Sequence, residues 1–483
     1  MSNRAILVGA ALLILCAPEM QGQSNNVPLS FDQSLELLQE NNKSIQMAKK
    51  EVEIAHSEHQ RLNSFWYPNI SAAGTYMHMS NKIEVKEPLN QLTDPVKELV
   101  QSHFPGTEIT QIISGLLDKV GAYTLSFPLA PQNVATIDAN LMWPIFTGGK
   151  RIYGNKIGKS MVNIAQLNHH QISALSQVML VDTYYALRLG KRVVEVKKEA
   201  FDALYKEYQN AVKLEQNGMI NKAERLVVQV GMEEAKREHE AAVKDYAVAQ
   251  SAFRGLLNMQ DTTSVEPTSA LFINDSIPSA AYFKSLVPQN NYMLAGLGEQ
   301  KKIAKYQENI GKTGYAPNIA LIGKQTIFSH GIEKNLIPRT MIGVGFTWNI
   351  FDGLDREKKI KQAKLAGQTL QLGKEKAQSE INVGIDKFHS QMEMALDNVN
   401  ALNTTIALSK ELLKMRQKSF IEGMATSTEV VDAQVMLAKV QVAYLLAYYQ
   451  YDSALMNLLA LCGMPEEFSR YKTVGKTEHF IFE

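Results

Sequence analysis

Two hydrophobic periods alternate along this chain, and they come in the same order twice. Between Pro144 and Pro267, and again between Pro338 and Pro465, there is no proline, and apolar residues recur every three or four positions in an Ala-, Leu-, Lys-, Glu- and Gln-rich background. Ile157, Met161, Ile164 and Leu167 form one such stripe, and Val193, Val196, Ala200, Leu204 and Tyr208 another. That spacing predicts long helices with coiled-coil-like seams. Each stretch is interrupted once by glycine in a polar setting, at Gln216-Asn217-Gly218 and Glu422-Gly423. Glycine just past the last turn takes the left-handed conformation that stops a helix, so each half is expected to hold a helical hairpin. The 68 residues from Lys150 to Asn217 would span roughly 100 Å at 1.5 Å per residue, longer than a globular domain requires.

The segments before the hairpins change to period two. Ile137, Ala139, Leu141, Trp143 and Ile145 alternate with Thr136, Asp138, Asn140, Met142 and Pro144. Ile342, Val344, Phe346, Trp348 and Ile350 alternate with Gly343, Gly345, Thr347 and Asn349. About ten residues, apolar on one side and small or polar on the other, fit a strand of a transmembrane barrel. Weaker strands of similar length follow Pro68 (70–79) and Pro317 (319–328). Four strands cannot close a barrel alone, and a soluble sandwich has no use for helices of this length.

These elements repeat in register. Trp143, Ile145, Phe146, Gly148 and Arg151 match Trp348, Ile350, Phe351, Gly353 and Arg356 at an offset of 205, which also pairs Gly218-Met219 with Gly423-Met424 and Glu224 with Glu429. Upstream, Asn41-Asn42 pairs with Asn290-Asn291, and Pro68-Asn69-Ile70 with Pro317-Asn318-Ile319, at an offset of 249. The difference leaves about 44 extra residues in the first half, within 81–135. The chain therefore reads as an internal duplication: a first repeat over 28–258 (helix, strand, the 81–135 insertion, strand, hairpin), a linker over 259–289, a second repeat over 290–464, and a tail over 465–483.

Composition narrows the setting. A formal charge of +1 without a long basic run argues against nucleic acid. Met-Ser-Asn-Arg followed by mostly apolar Ala5 to Cys16 reads as a signal peptide over 1–23, too short to span a bilayer. Cys16 raises the question of a lipid anchor, although a lipidated cysteine normally follows a small residue and this one follows Leu15. With the leader removed only Cys462 remains, which excludes an intrachain disulfide and a cysteine metal cage. No later run of 18 apolar residues is expected to form a membrane helix.

The doubled Tyr-Pro-Asn-Ile (67–70) and Ala-Pro-Asn-Ile (316–319) joints, the doubled Trp-x-Ile-Phe-x-Gly strand ends and the GMATSTEVVDAQ run from Gly423 resemble the TolC-like outer-membrane efflux protein family. The resemblance covers nearly the whole mature chain. It implies a mixed α/β membrane protein, a homotrimer in which each chain gives four strands to one 12-stranded β-barrel continued by an α-helical periplasmic tunnel. The implied function is the outer-membrane exit duct of a tripartite efflux pump or type I secretion system. The implied partners are a periplasmic adaptor protein, an inner-membrane pump of the RND or ABC class and outer-membrane lipid. Pro68 and Pro317 would then mark the helix-to-strand junctions, and Trp143, Phe146, Gly148, Trp348, Phe351 and Gly353 the strand-to-helix junctions. Gly218, Met219, Gly423 and Met424 would form the adaptor-contacting tips. Glu429 and Asp432, with Glu224 in the first copy, would lie at the periplasmic constriction; Val227 stands at the place equivalent to Asp432. Thr147 stands where the second copy has Asp352, Leu354 replaces a usual glycine, and the insertion, placed on the extracellular side, is long.

Other chemistry finds little support. His56 and His59, or His169 and His170, lack the accompanying ligands of a metal site. Thr147-Gly148-Gly149-Lys150 lacks the spacing of a phosphate loop, and no catalytic constellation has supporting context. Neither an enzyme nor a cofactor is expected. A diffusion porin would need more strands and no long helices, and a coiled-coil surface or adhesion protein would need neither hairpin glycines nor doubled strands.

Overall fold

The computed structural model describes residues 26–103, 105–261, 263–331 and 338–478; the expected leader and Cys16 lie outside the described residues. The chain begins with β1 (Asn26–Leu29), α1 (Phe31–Asn41), α2 (Lys43–Asn63) and β2 (Asn69–His78). The insertion holds β3 (Ile83–Pro88), α3 (Asn90–His103), α4 (Glu108–Gly121) and β4 (Thr124–Ala130). β5 (Asn133–Thr147), α5 (Lys150–Gln216) and α6 (Lys222–Leu257) follow. Then come β6 (Ser264–Pro267), β7 (Phe272–Ile273), α7 (Ala280–Asn290), α8 (Tyr292–Thr313), β8 (Asn318–His330) and β9 (Thr340–Thr347). The chain closes with α9 (Asp355–Ile421), α10 (Ser427–Leu461), α11 (Glu467–Val474) and β10 (Lys476–Thr477). α5 and α9 are both 67 residues long. The stretch read from the sequence as a linker holds β6, β7 and most of α7.

Two compact units divide these elements. The first takes its described residues from 26–53, 163–299 and 371–478 and carries the main core. α10 runs through its middle, with Leu455, Leu458 and Leu459 wholly buried. By length and composition α10 would pass as a membrane-crossing helix, unlike the expectation from sequence, but 56% of its apolar window is buried in the protein. Phe31, Tyr184, Tyr185, Phe272 and Phe468 pack ring against ring around it, with centroids 5.2–6.4 Å apart. Asn42 and Asn291 make the same joint twice. Asn42 accepts from the Ser44 and Ile45 N–H groups and Asn291 from the Leu294 N–H, and each donates to a carbonyl at the end of a hairpin, Leu256 at 3.1 Å and Leu461 at 2.8 Å.

Beside this core lies a buried polar group. Glu478 Oε1 accepts from Arg188 at 2.6 Å and Arg192 at 3.1 Å. Asp452 Oδ2 accepts from the Phe272 N–H at 3.4 Å, while Asp452 Oδ1 has no hydrogen-bond partner among the described residues. Burial, helped by the nearby Glu478, pushes the Asp452 carboxyl well above the usual carboxylate range. A carboxyl whose folded pKa is raised lends its full stability below its unfolded pKa of about 4 and loses it as pH rises through the folded value. Asp452→Asn keeps an acceptor for the Phe272 N–H and removes the charge. Its thermal midpoint is expected to exceed that of the parent at pH 7 to 8, with the gap closing on acidification toward about pH 4.

The second unit comprises residues 54–162 and 300–370. Its sheet is antiparallel in the order β2-β5-β8-β9. In register, Ile70, Leu141, Gly323 and Ile342 lie in one cross-strand row, and Trp143, Leu321 and Val344 in another. The period-two apolar positions of all four strands therefore share one face, and that face is open: Ile70, Ile342, Val344 and Phe346 are 66–75% exposed. On the other face Asp138 pairs with Lys324 at 2.9 Å and accepts from Thr326 at 2.7 Å. β9 ends at Thr347, earlier than the alternation to Ile350 suggested. Its one ladder partner among the described residues, β8, begins at Asn318, opposite Thr347, so within those residues 348–350 have nothing to pair with.

Candidate functional site

Each strand-to-helix junction is clasped by a Trp and an Arg that meet an aromatic residue at the end of the preceding helix segment, Trp66 in one and Tyr315 in the other. Trp143 Nε1 donates to the Trp66 carbonyl at 3.0 Å, and Trp348 Nε1 donates to the Tyr315 carbonyl at 3.2 Å. Arg151 donates to the Phe65 and Ile145 carbonyls, both at 2.8 Å, and lies 4.4 Å over the Trp66 ring. Arg356 donates to the Gly314 and Asn349 carbonyls, at 2.9 and 3.1 Å, and lies 4.3 Å over the Tyr315 ring. Guanidinium suits this work because its rigid fork reaches two carbonyls while its plane stacks on the ring. The sequence marked the tryptophans and only noted the arginines as part of the repeat; their stacking partners, Trp66 and Tyr315, went unmarked. Phe146 and Phe351, also marked, are exposed and belong to the open apolar surface.

The turns into α5 and α9 need left-handed backbone. Gly148 and Gly149 have φ of +61° and +92°, and Gly353 and Leu354 have +69° and +66°. Leucine in that region costs about 1–2 kcal/mol, and Leu354 is 54% exposed, so burial gives little back. Leu354→Gly is expected to stabilise the junction by up to about 1 kcal/mol after the entropy cost of an added glycine, seen as a raised thermal midpoint. At the other ends of the strands, Pro68 and Pro317 stand directly before β2 and β8. Proline cannot continue a helix and holds the residue before it extended, and Tyr67 accordingly has ψ of 155°.

The hairpin tips share one geometry. After α5 the Gly218 N–H donates to the Glu215 carbonyl at 2.9 Å, and the Met219 N–H to the Leu214 carbonyl at 2.8 Å. After α9 the Gly423 and Met424 N–H groups donate to Phe420 and Ser419, at 3.0 and 2.8 Å. Both are Schellman stops, with φ of +70° at Gly218 and +73° at Gly423. Met219 and Met424 are 66% and 72% exposed. The two tips touch where Ser427 Oγ donates to the Glu224 carbonyl at 3.2 Å.

The acidic residues beyond the tips divide by environment. Glu429 accepts from the N–H and hydroxyl of Thr426, at 3.4 and 3.2 Å, and pairs with Arg416 across the turn. The first hairpin carries an Arg–Glu clasp of reversed polarity, Arg225 with Glu215 at 2.5 Å. Asp432 is exposed and has no such ion pair among the described residues. The Glu224 N–H donates to Asn221 Oδ1 at 3.0 Å, capping α6. Elsewhere, His59 contacts Asn155 at 3.3 Å and His170 stacks on Tyr292 at 5.5 Å. Among the described residues no group of three or more His, Cys, Asp or Glu is placed to hold a metal ion.

With this geometry in hand, comparison with known proteins gives one family and one fold. Residues 301–464 match the family model described as outer membrane efflux protein. Comparison with curated protein sequences gives no match. The structure is similar to that of CusC, from a study of folding and transmembrane channel formation, with a TM-score of 0.70 at 12% identity over 90% of this chain and 92% of that one. It is similar to the outer membrane protein VceC of Vibrio cholerae, with a TM-score of 0.68 at 13% identity over 90% and 96%. The Campylobacter jejuni CmeC outer membrane channel gives 0.65 at 14% identity over 98% of both chains. Residues 301–464 thus carry the domain of the outer membrane efflux protein family, and the chain has the fold of its channels.

Proposed function

We propose that this protein is an outer-membrane exit duct that passes substrates from an efflux pump or type I secretion system to the exterior. The observation that carries this reading is the four-stranded sheet: one face apolar and open, the other mixed, with Asp138 and Lys324 among Met142 and Ile322, both edges unpaired among the described residues, and its strands fused to 67-residue helices. Unpaired edges in lipid are too costly to leave, so strands of further copies must complete the barrel. Three copies give twelve strands, the number the family resemblance implies. The helices continue the barrel as a tunnel into the periplasm, where the tips meet an adaptor and, through it, an inner-membrane pump. Channels of this kind have no catalytic step. Deleting the gene and profiling sensitivity to drugs, bile salts and metals, alongside secreted proteins, tests the reading; an unchanged profile would sink it.

Internal duplication supplies the register of the missing pairs. Within the chain Asn140 of β5 faces Lys324 of β8. Shifting each by its repeat offset sets Gly345 of β9 opposite Thr75 on β2 of the next copy. The same operation gives residues 348–351 a partner in the lower part of β2, which accounts for the early end of β9.

Asp432 and Glu429 are the constriction candidates. Three copies would bring six carboxylates into one throat, favouring cations and allowing multivalent ions to bridge. Glu429 already serves the α10 cap and Arg416, so Asp432 is the freer of the two. In planar bilayers Asp432→Ala is expected to weaken cation selectivity and multivalent block more than Glu429→Ala does. Wild-type behaviour in both would remove them from the gate.

A further inference from the structure

The insertion is built inside out. α3 and α4 pack on each other through small and polar groups: Thr93 and Thr110 are buried, and a Cβ at Gly121 would sit 2.7 Å from Thr93 Oγ1. Most of their large apolar side chains are on the outside, with Val100 and Leu117 half-buried. Leu92, Val96 and Leu99 share one face of α3 and are 48–70% exposed; Ile112, Leu116 and Val120 share one face of α4 and are 40–66% exposed. A helical pair that buries threonine and exposes leucine has a face meant for something else.

The way the insertion is mounted indicates what covers that face. The Met79 N–H donates to the Gln132 carbonyl at 2.7 Å, and Gln132 Nε2 donates to the Ser80 carbonyl at 3.0 Å. These bonds join the β2–β5 pair to the β3–β4 pair, so the insertion extends the strand pair that owns the open β2 edge. Whatever pairs with β2 stands beside the insertion. Charge argues against lipid as the cover. Residues 82–119 hold four lysines against six Asp and Glu, whereas helices that lie on membranes are rich in lysine and arginine. We propose that the α3–α4 apolar face packs against the insertions of neighbouring copies, so that three insertions form a self-associated collar continuous with the barrel. This rests on the three-copy reading given above.

Cysteine chemistry on intact cells tests it, because Cys462 is buried. Leu99→Cys and Leu116→Cys, made singly, are expected to lose labelling by a membrane-impermeant maleimide, while Lys119→Cys on the same insertion labels. Combined in one chain, Leu99→Cys and Leu116→Cys are expected to give interchain disulfides on oxidation. Thr75→Cys with Gly345→Cys reports the barrel contact independently. If that pair cross-links between chains but the leucine positions label as freely as Lys119→Cys, the collar is wrong and the duct reading stands. If the leucine positions are protected without interchain cross-links, lipid or another partner covers the face, and the collar is again wrong. If no trimer is found and neither pair cross-links, both readings fall.

Discussion

Gly148→Ala is expected to destabilise the junction before α5 by about 3 kcal/mol and to strip most of the protein from the outer membrane. Two costs add. A side chain at φ of +61° pays about 1–2 kcal/mol of left-handed strain. The new Cβ would also meet the Thr313 carbonyl oxygen at 2.6 Å and the Ala316 Cβ at 3.0 Å. The first is backbone at the last residue of α8 and the second a Cβ on the turn just after it, so neither can swing aside as a long side chain would, and overpacking of that kind costs about 1–3 kcal/mol. Gly353 is the counterpart at +69°, yet nothing lies within 4 Å of its Cβ position. In the proposed trimer the repeat offset brings Ser64 to Tyr67 of the next copy to that place. Gly353→Ala therefore keeps the left-handed strain of about 1–2 kcal/mol but adds no clash within the chain, and is expected to destabilise the folded chain less than Gly148→Ala while impairing assembly. Native gels of membrane extracts, with thermal midpoints of the solubilised protein, separate the two outcomes; equal behaviour of the two variants would count against the offset argument.

Replacing either tip glycine with valine is expected to abolish most export while leaving trimers in the membrane. Gly218 and Gly423 both need positive φ, and both have open space around the Cβ position. The cost is therefore confined to the backbone. A β-branched residue there carries about 1–2 kcal/mol of strain, and felt fully in the docked turn this corresponds to roughly a tenfold loss of adaptor affinity. The exposed Met219 and Met424 would lose their positions together with the turn, and with them the adaptable apolar contacts methionine offers. Asparagine tolerates left-handed backbone, so Gly423→Asn is expected to restore much of what Gly423→Val loses. Adaptor binding to purified trimers reads this directly. Export at wild-type level by both valine variants would remove the tips from docking.

The helices were legible in the chain because two signals agreed: proline was absent for over a hundred residues, and in each run a glycine in a polar setting, Gly218 or Gly423, marked the reversal. The family resemblance was legible for a similar reason, since a motif written twice constrains itself. Across-turn and across-element partners were not. Glu429 and Asp432 look equivalent at i and i+3, but Arg416 is thirteen residues before Glu429 and only the turn brings them together. Arg151 finds Trp66 from 85 positions away, a contact that no periodicity encodes. The insertion hid its helices differently. Pro95 lies inside α3, and the apolar stripes of α3 and α4 face outward, so amphipathicity gives no clue to which side is packed. β9 was read too long because alternation records which way side chains point, whereas a strand ends where its ladder partner ends.

Electron microscopy of particles purified from the outer membrane tests the central claim most directly. The account expects threefold symmetry, with a barrel of twelve strands continued by a hollow tube of paired helices roughly 100 Å long. A barrel closed by a single chain, a barrel with no helical extension, or a solid helical rod would contradict it.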